Sequence, residues 1–262
     1  MSLPNTICNL KLLRSLDLFG CLKFRNLPKN IGNVKGLELL NLCWTDIIDV
    51  PSSIALLKNL KQLYICRWKS SKSYSLPTSL ERIGLVFPSL ISASHVNPII
   101  SAHQMSSGHG SWPPFQLLFL SLPGLQSLTY LHLSDLHLFS IPNDIGCLSS
   151  LEHLNLSGNN FVSLPKSMSQ LSNPRRLRLE GCTRLQSLEN VPLTIDIVIA
   201  NNCESLKRLL ELQSYPFRSD HSHLNFQCVN CFKLVRYIGS SGNMLQVSLS
   251  LSLSLSSKHY FP

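Results

Sequence analysis

"LEHLNLSGNNFVSLPKSM", residues 151–168, sets leucines in an L-x-x-L-x-L spacing and closes on a Leu-Pro pair. The phrase recurs. "LRSLDLFGC" stands at 13–21, "LELLNLCWT" at 37–45 and "LKQLYICRW" at 60–68, with starts 24 and then 23 residues apart. "LTYLHLSDL" at 128–136, "LEHLNLSGN" at 151–159 and "PRRLRLEGC" at 174–182 follow at steps of 23, and a degenerate copy, "IDIVIANNC", occupies 195–203. Leu27-Pro28, Val50-Pro51, Ile141-Pro142 and Leu164-Pro165 run in step with them.

A period of 20 to 29 residues built on L-x-x-L-x-L-x-x-N/C marks a leucine-rich repeat, a short strand and a return segment per turn of a solenoid. The predicted fold is therefore an α/β repeat: a curved horseshoe with a parallel sheet on its concave side. In the L-x-L core, alternation sends Leu154 and Leu156 to one face and Asn155 to the other. The chain then turns, and Cys21, Thr45, Asn159, Cys182 and Cys203 recur there as small groups able to serve bare backbone. Trp68 and Leu136 break this column. A single repeat buries too little apolar surface to offset the entropy of ordering it, so stacking is compulsory.

Pro174 stands where other copies have leucine and lacks an amide donor, so it is expected to loosen one ladder step. The reading gives repeats at 1–68, an irregular insertion with degenerate repeats at 69–126, and repeats again at 127–212. A post-repeat region starts at 213–246, and a low-complexity tail fills 247–262. Within the insertion only Leu80-Ile83-Leu85 and Leu117-Leu120-Leu122 resemble repeat cores. "LPNTICNLKLL" at the N-terminus matches the second half of a repeat, as if the chain were truncated there. "VSLSLSLSLSS" at 247–257 alternates as a translated CT dinucleotide repeat does; an amphipathic edge strand is the alternative.

The 262 residues carry 44% hydrophobic and only 14% charged side chains, a globular composition, with a net charge of +9. Short clusters such as Arg175, Arg176 and Arg178 occur without a long basic run, which reads as a solvated surface rather than a nucleic-acid footprint. Nine scattered cysteines fit a reducing compartment better than a disulfide scaffold. The N-terminus lacks the basic and apolar regions of a secretion signal, and no apolar run is long enough to span a membrane.

No Gly-rich phosphate loop, G-x-S-x-G elbow or H-E-x-x-H occurs, so a binding module is expected, with no enzymatic activity and no cofactor. His221, His223, Cys228 and Cys231 form one H-x-H and C-x-x-C constellation without the long knuckle of a zinc site. The expectation is no metal and a buried Cys231 beside Phe232. Asn155-Leu156-Ser157 is a formal glycosylation sequon inside a strand.

"LPKSMSQLSNPRRLRLEGCTRLQSLENVP", "NNCESLKRL" and "NFQCVNCFKL" resemble the C-terminal repeats of plant TIR, nucleotide-binding, leucine-rich-repeat disease resistance proteins. The resemblance covers about residues 3 to 246. It implies a protein-binding module in innate immunity and defence signalling, in the cytoplasm or nucleus, whose partners are a pathogen effector or guarded host protein and the receptor's own nucleotide-binding domain. It implies no catalytic position here, because the NAD-cleaving TIR domain and the nucleotide switch of that family match nothing in this sequence. This chain is accordingly not expected to signal alone. An extracellular plant repeat receptor or inhibitor is the competing reading, although its G-x-I-P mark is replaced here by x-L-P. The partner-binding surface is expected on the outward strand column Asp17, Asn41, Tyr64, His132, Asn155 and Arg178, flanked by Gln62, His153 and Arg176.

Overall fold

The computed structural model describes residues 2–67, 115–192, 194–208 and 225–234, all within one compact unit. Among the described residues, eight three-residue strands form a single parallel sheet in chain order. They are β1 (Ser15–Asp17), β2 (Leu39–Asn41), β3 (Gln62–Tyr64), β4 (Tyr130–His132), β5 (His153–Asn155), β6 (Arg176–Arg178), β7 (Ile197–Ile199) and β8 (Asn225–Gln227). The register aligns the repeats as the leucine spacing predicts: Leu16, Leu40, Leu63, Leu131, Leu154, Leu177, Val198 and Phe226 form one column. Leu154 and Leu156 both lie in the core. β8 falls in the segment expected to begin the post-repeat region.

The ladder steps from β1 to β7 repeat one hydrogen-bond scheme. The carbonyl of Arg14 accepts from the amides of Glu38 and Leu39, that of Glu38 from Lys61 and Gln62, and that of Lys61 from Thr129 and Tyr130. β3 thus pairs directly with β4 across 65 intervening residues, with Leu63 opposite Leu131. Of the two weak repeat matches in the insertion, Leu80-Ile83-Leu85 lies outside the described residues. Leu117 and Leu120 are not strand residues: they are exposed on a short helix, α1 (Gln116–Ser121), and Leu118, Phe119 and Leu122 are buried instead. The spacing misleads here because L-L-F-L-S-L fits a helical face as readily as a strand.

The Leu-Pro marks open the return segments. Pro4, Pro51, Pro142 and Pro165 each precede a 3-10 turn with φ between −65° and −71°, values the pyrrolidine ring favours intrinsically. Their carbonyls receive the amides of Ile7, Ile54, Ile145 and Met168. Turns stack on turns at close quarters: a Cβ on Gly32 would lie 2.1 Å from the carbonyl oxygen of Ser53.

Pro174 leaves the ladder intact, contrary to the sequence expectation. The amides of Arg175 and Arg176 both donate to Glu152 O, and that of Leu156 donates to Arg178 O. What proline removes is a turn bond. At the equivalent position the amides of Leu37, Leu60, Leu128 and Leu151 donate three residues back, to Val34, Leu57, Leu125 and Leu148. Leu171, the acceptor that Pro174 leaves unused, has ψ of 127° where Val34, Leu57 and Leu148 have 70° to 72°. Pro174→Leu is expected to restore this bond and bury more apolar surface, offset partly by a freer unfolded chain. The net gain is about 1 kcal/mol in a urea titration; no gain would mean that the turn cannot return to the geometry of its neighbours.

Candidate functional site

The column expected to meet a partner is in register: Asp17, Asn41, Tyr64, His132, Asn155 and Arg178 are aligned partners in successive strands. Gln62, His153 and Arg176 align in a second column two residues earlier. Both occupy the sheet face opposite the leucine core. Their exposure differs sharply. Asp17 and Arg176 are exposed, Gln62, His153 and Arg178 are half-buried, and Asn41, Tyr64, His132 and Asn155 are buried.

Local hydrogen bonds explain the difference. Asp17, Asn41 and Asn155 each accept, through Oδ1, the amide of the residue two positions on: Phe19 at 2.9 Å, Cys43 at 3.0 Å and Ser157 at 3.0 Å. Arg178 forks onto Glu180 at 2.8 Å and 3.1 Å, and His132 Nε2 lies 2.8 Å from Ser134 Oγ. The column therefore serves partly as strand-end scaffolding. Asn155 Nδ2 also lies 3.2 Å from His132 Nε2, so the sequon nitrogen is engaged inside the sheet face.

Sequence reasoning passed over the next outward column, although period-two alternation reaches it: Phe19, Cys43, Cys66, Ser134, Ser157 and Glu180 lie two residues beyond the first. Here Cys43, Tyr64 and Cys66 make a second apolar cluster separate from the main core, with Phe19, Leu39, Trp44 and Tyr130 packed on it. Phe19 and Trp44 rings are 4.5 Å apart, Tyr64 and Tyr130 4.9 Å, and Tyr130 and His153 5.7 Å. Cys43 and Cys66 are joined by a disulfide between adjacent repeats, a pairing not anticipated from the scattered cysteine spacing.

Charges follow a regular row beside the sheet. Glu38 lies between Arg14 and Lys61, and hydrogen bonds from Lys61 and then Arg14 hold its carboxyl below the usual range. Burial, and then Arg178, lower His132 to about 4. Burial followed by Arg176 lowers His153.

At the turn column, Thr45 Oγ1 donates to Leu42 O at 2.8 Å. Asn159 Nδ2 donates to Leu133 O at 2.7 Å and Leu156 O at 2.8 Å. Cys182, Cys203 and Cys231 donate through sulfur to Leu156, Leu179 and Ala200 carbonyls. Cys21, by contrast, is exposed. Cys231 is buried and Phe232 exposed, and Cys231 extends this structural column. Contact with Cys231 and burial push the thiols of Cys203 and Cys228 up. His221 and His223 lie outside the described residues. Among the described residues no group of three His, Cys, Asp or Glu side chains could hold a metal ion, and no helix is long and apolar enough to cross a membrane.

No family model matches the chain. TMV resistance protein N of Nicotiana glutinosa is 32% identical over 141 residues, covering 52% of this chain and 12% of that protein. Disease resistance-like protein DSC1 of Arabidopsis thaliana is 29% identical over 99% of this chain and 20% of its own length. The chain thus spans a fifth or less of these relatives. Among solved structures, the leucine-rich repeat domain of the type III effector XopL matches 89% of this chain and 66% of that one, with a TM-score of 0.54 and 22% identity. That likeness concerns the fold. With the repeat register, the chain is a leucine-rich repeat solenoid whose sequence is similar to segments of two plant disease resistance proteins.

Proposed function

We propose that this region is the protein-binding module of an intracellular immune receptor, acting in the cytoplasm and nucleus. Its sheet face reads a pathogen effector or a guarded host protein, and the repeats hold the receptor's own nucleotide-binding domain inactive until recognition. The region itself has no catalytic role. The observation that carries the reading is the register that sets Asp17, Gln62, His153, Arg176 and Arg178, chemically mixed and at least partly accessible, on one continuous face. Asn41, Tyr64, His132 and Asn155 form the floor that fixes them.

The test is made in leaf tissue with the receptor that carries this region. Arg176→Glu with Arg178→Gln is expected to abolish recognition-dependent cell death at unchanged protein level. Undiminished cell death would remove this face from recognition. The 262 residues expressed alone are expected to cause no cell death.

The Cys43–Cys66 disulfide favours a second reading, an extracellular plant repeat receptor or inhibitor, because disulfides persist in oxidising compartments. Mass spectrometry after alkylation of the native protein separates the two: an intact crosslink on protein from the apoplast supports the second, and alkylated Cys43 and Cys66 on protein from the cytosol support the first.

A further inference from the structure

The turn after every strand but β3 holds a left-handed residue. Gly20, Gly158 and Gly181 take it with φ of 69° to 73°, and Asp135, Asn202 and Asn230 with 56° to 62°. These are the residue types that tolerate such a backbone. At the equivalent place after β2 stands Trp44, with φ of 57°. Its amide donates to Cys66 O just as Gly158 donates to Glu180 O, so the position is a regular part of the ladder. A bulky side chain there is a strained choice, and strain of this kind concentrates where function requires it.

What the residue supplies is apolar surface. Trp44, Phe19, Leu39 and Tyr130 are each only half-buried, above a buried floor of Cys43, Tyr64 and Cys66. Three strands further along the same face, Arg176 is exposed and makes no salt bridge among the described residues, whereas Arg175 and Arg178 lie near Glu152 and Glu180. The net charge of +9 gives the same preference for a negative partner.

From these features we infer that the sheet face docks a peptide segment that places one large apolar side chain on the Trp44–Tyr130 platform and one carboxylate on Arg176. This deepens, and rests on, the reading of the sheet face as the protein-binding surface. Three steps from β3 to β6 are about 14 Å, which an extended chain covers in about four residues. The motif is therefore an aromatic or large aliphatic residue and an Asp or Glu about four positions apart, with small polar residues between. The platform provides the desolvated anchor and the guanidinium selects the charge.

The probe is a displayed library of random twelve-residue peptides selected on the full chain. Recovered peptides are then measured by fluorescence polarisation against the unaltered protein, Trp44→Gly and Arg176→Glu. Glycine suits the backbone at 44 and Arg176 is exposed, so both variants fold, which circular dichroism verifies. Recovered peptides are expected to carry the apolar–acidic spacing, to bind each variant at least tenfold more weakly, and to regain affinity for Arg176→Glu when their acid is exchanged for lysine. Binders that ignore both variants but are lost on Gln62→Ala, His153→Ala and Arg178→Gln together would overturn this motif and leave the sheet face as the docking surface. Binders indifferent to all of these, or no binders at all, would overturn both.

Discussion

Asn159→Ala is expected to lower the unfolding free energy by about 3 to 5 kcal/mol. Asn159 is fully buried. Its Nδ2 serves the carbonyls of Leu133 and Leu156, and its Oδ1 accepts the amide of Leu138 at 3.0 Å. Alanine would leave the Leu133 carbonyl and the Leu138 amide dry and unpaired, each costing about 1 to 3 kcal/mol before relaxation, and would leave the Leu156 carbonyl only the weak Cys182 thiol. The neighbouring column member makes the control. Cys182 gives one weak bond to Leu156 O, so Cys182→Ala should cost about 1 kcal/mol beyond its small loss of packing. Urea unfolding followed by circular dichroism measures both. If Asn159→Ala cost no more than Cys182→Ala, the carbonyls of one repeat would not depend on the side chain of the next.

These two residues also show what the sequence could disclose. The L-x-x-L-x-L spacing fixes the register because a one-residue slip would turn Asn155 into the leucine core and Leu154 out of it. The turn column is equally legible, since a small polar or thiol side chain recurs where carbonyls would otherwise be bare. Accessibility was not legible. A residue such as His132 or Asn155 faces away from the leucine core, yet its burial depends on Ser134, Ser157 and Arg178 from its own and adjoining repeats, which the spacing of leucines does not report. The apolar platform was hidden for a related reason. Phe19, Trp44 and Tyr130 sit at different places in their repeats and meet only when β1, β2 and β4 are brought into one sheet. Pro174 taught the same lesson from the backbone: its missing donor was plain, but only the turn geometry shows which bond is missing.

His132 supplies the largest pH effect. The amide of Ser157 donates to Asn155 Oδ1 and thereby orients the carboxamide, so Asn155 Nδ2 must point its hydrogen at His132 Nε2. Nε2 is then an acceptor and the ring is neutral, with its proton on Nδ1. Burial, and then the Arg178 guanidinium, depress the ring from 6.5 to about 4, and a second proton would also set two donors against each other at Asn155. Because the folded state resists protonation and the unfolded state does not, stability is full above about pH 6.5, falls as pH drops through that range, and levels off below about pH 4. The total loss is about 3 kcal/mol. His153 is lowered too and adds to the fall in the same direction, so the measurement is made in a His153→Gln background. The lowered Glu38 carboxyl acts in a more acid window, its contribution being lost as pH falls below the ordinary carboxylate range. Urea midpoints between pH 7 and 4 should therefore decline in the His153→Gln protein and decline much less once His132→Leu is added. A His132 ring signal titrating near pH 6.5 by NMR would show that the Asn155 clamp does not hold the ring neutral.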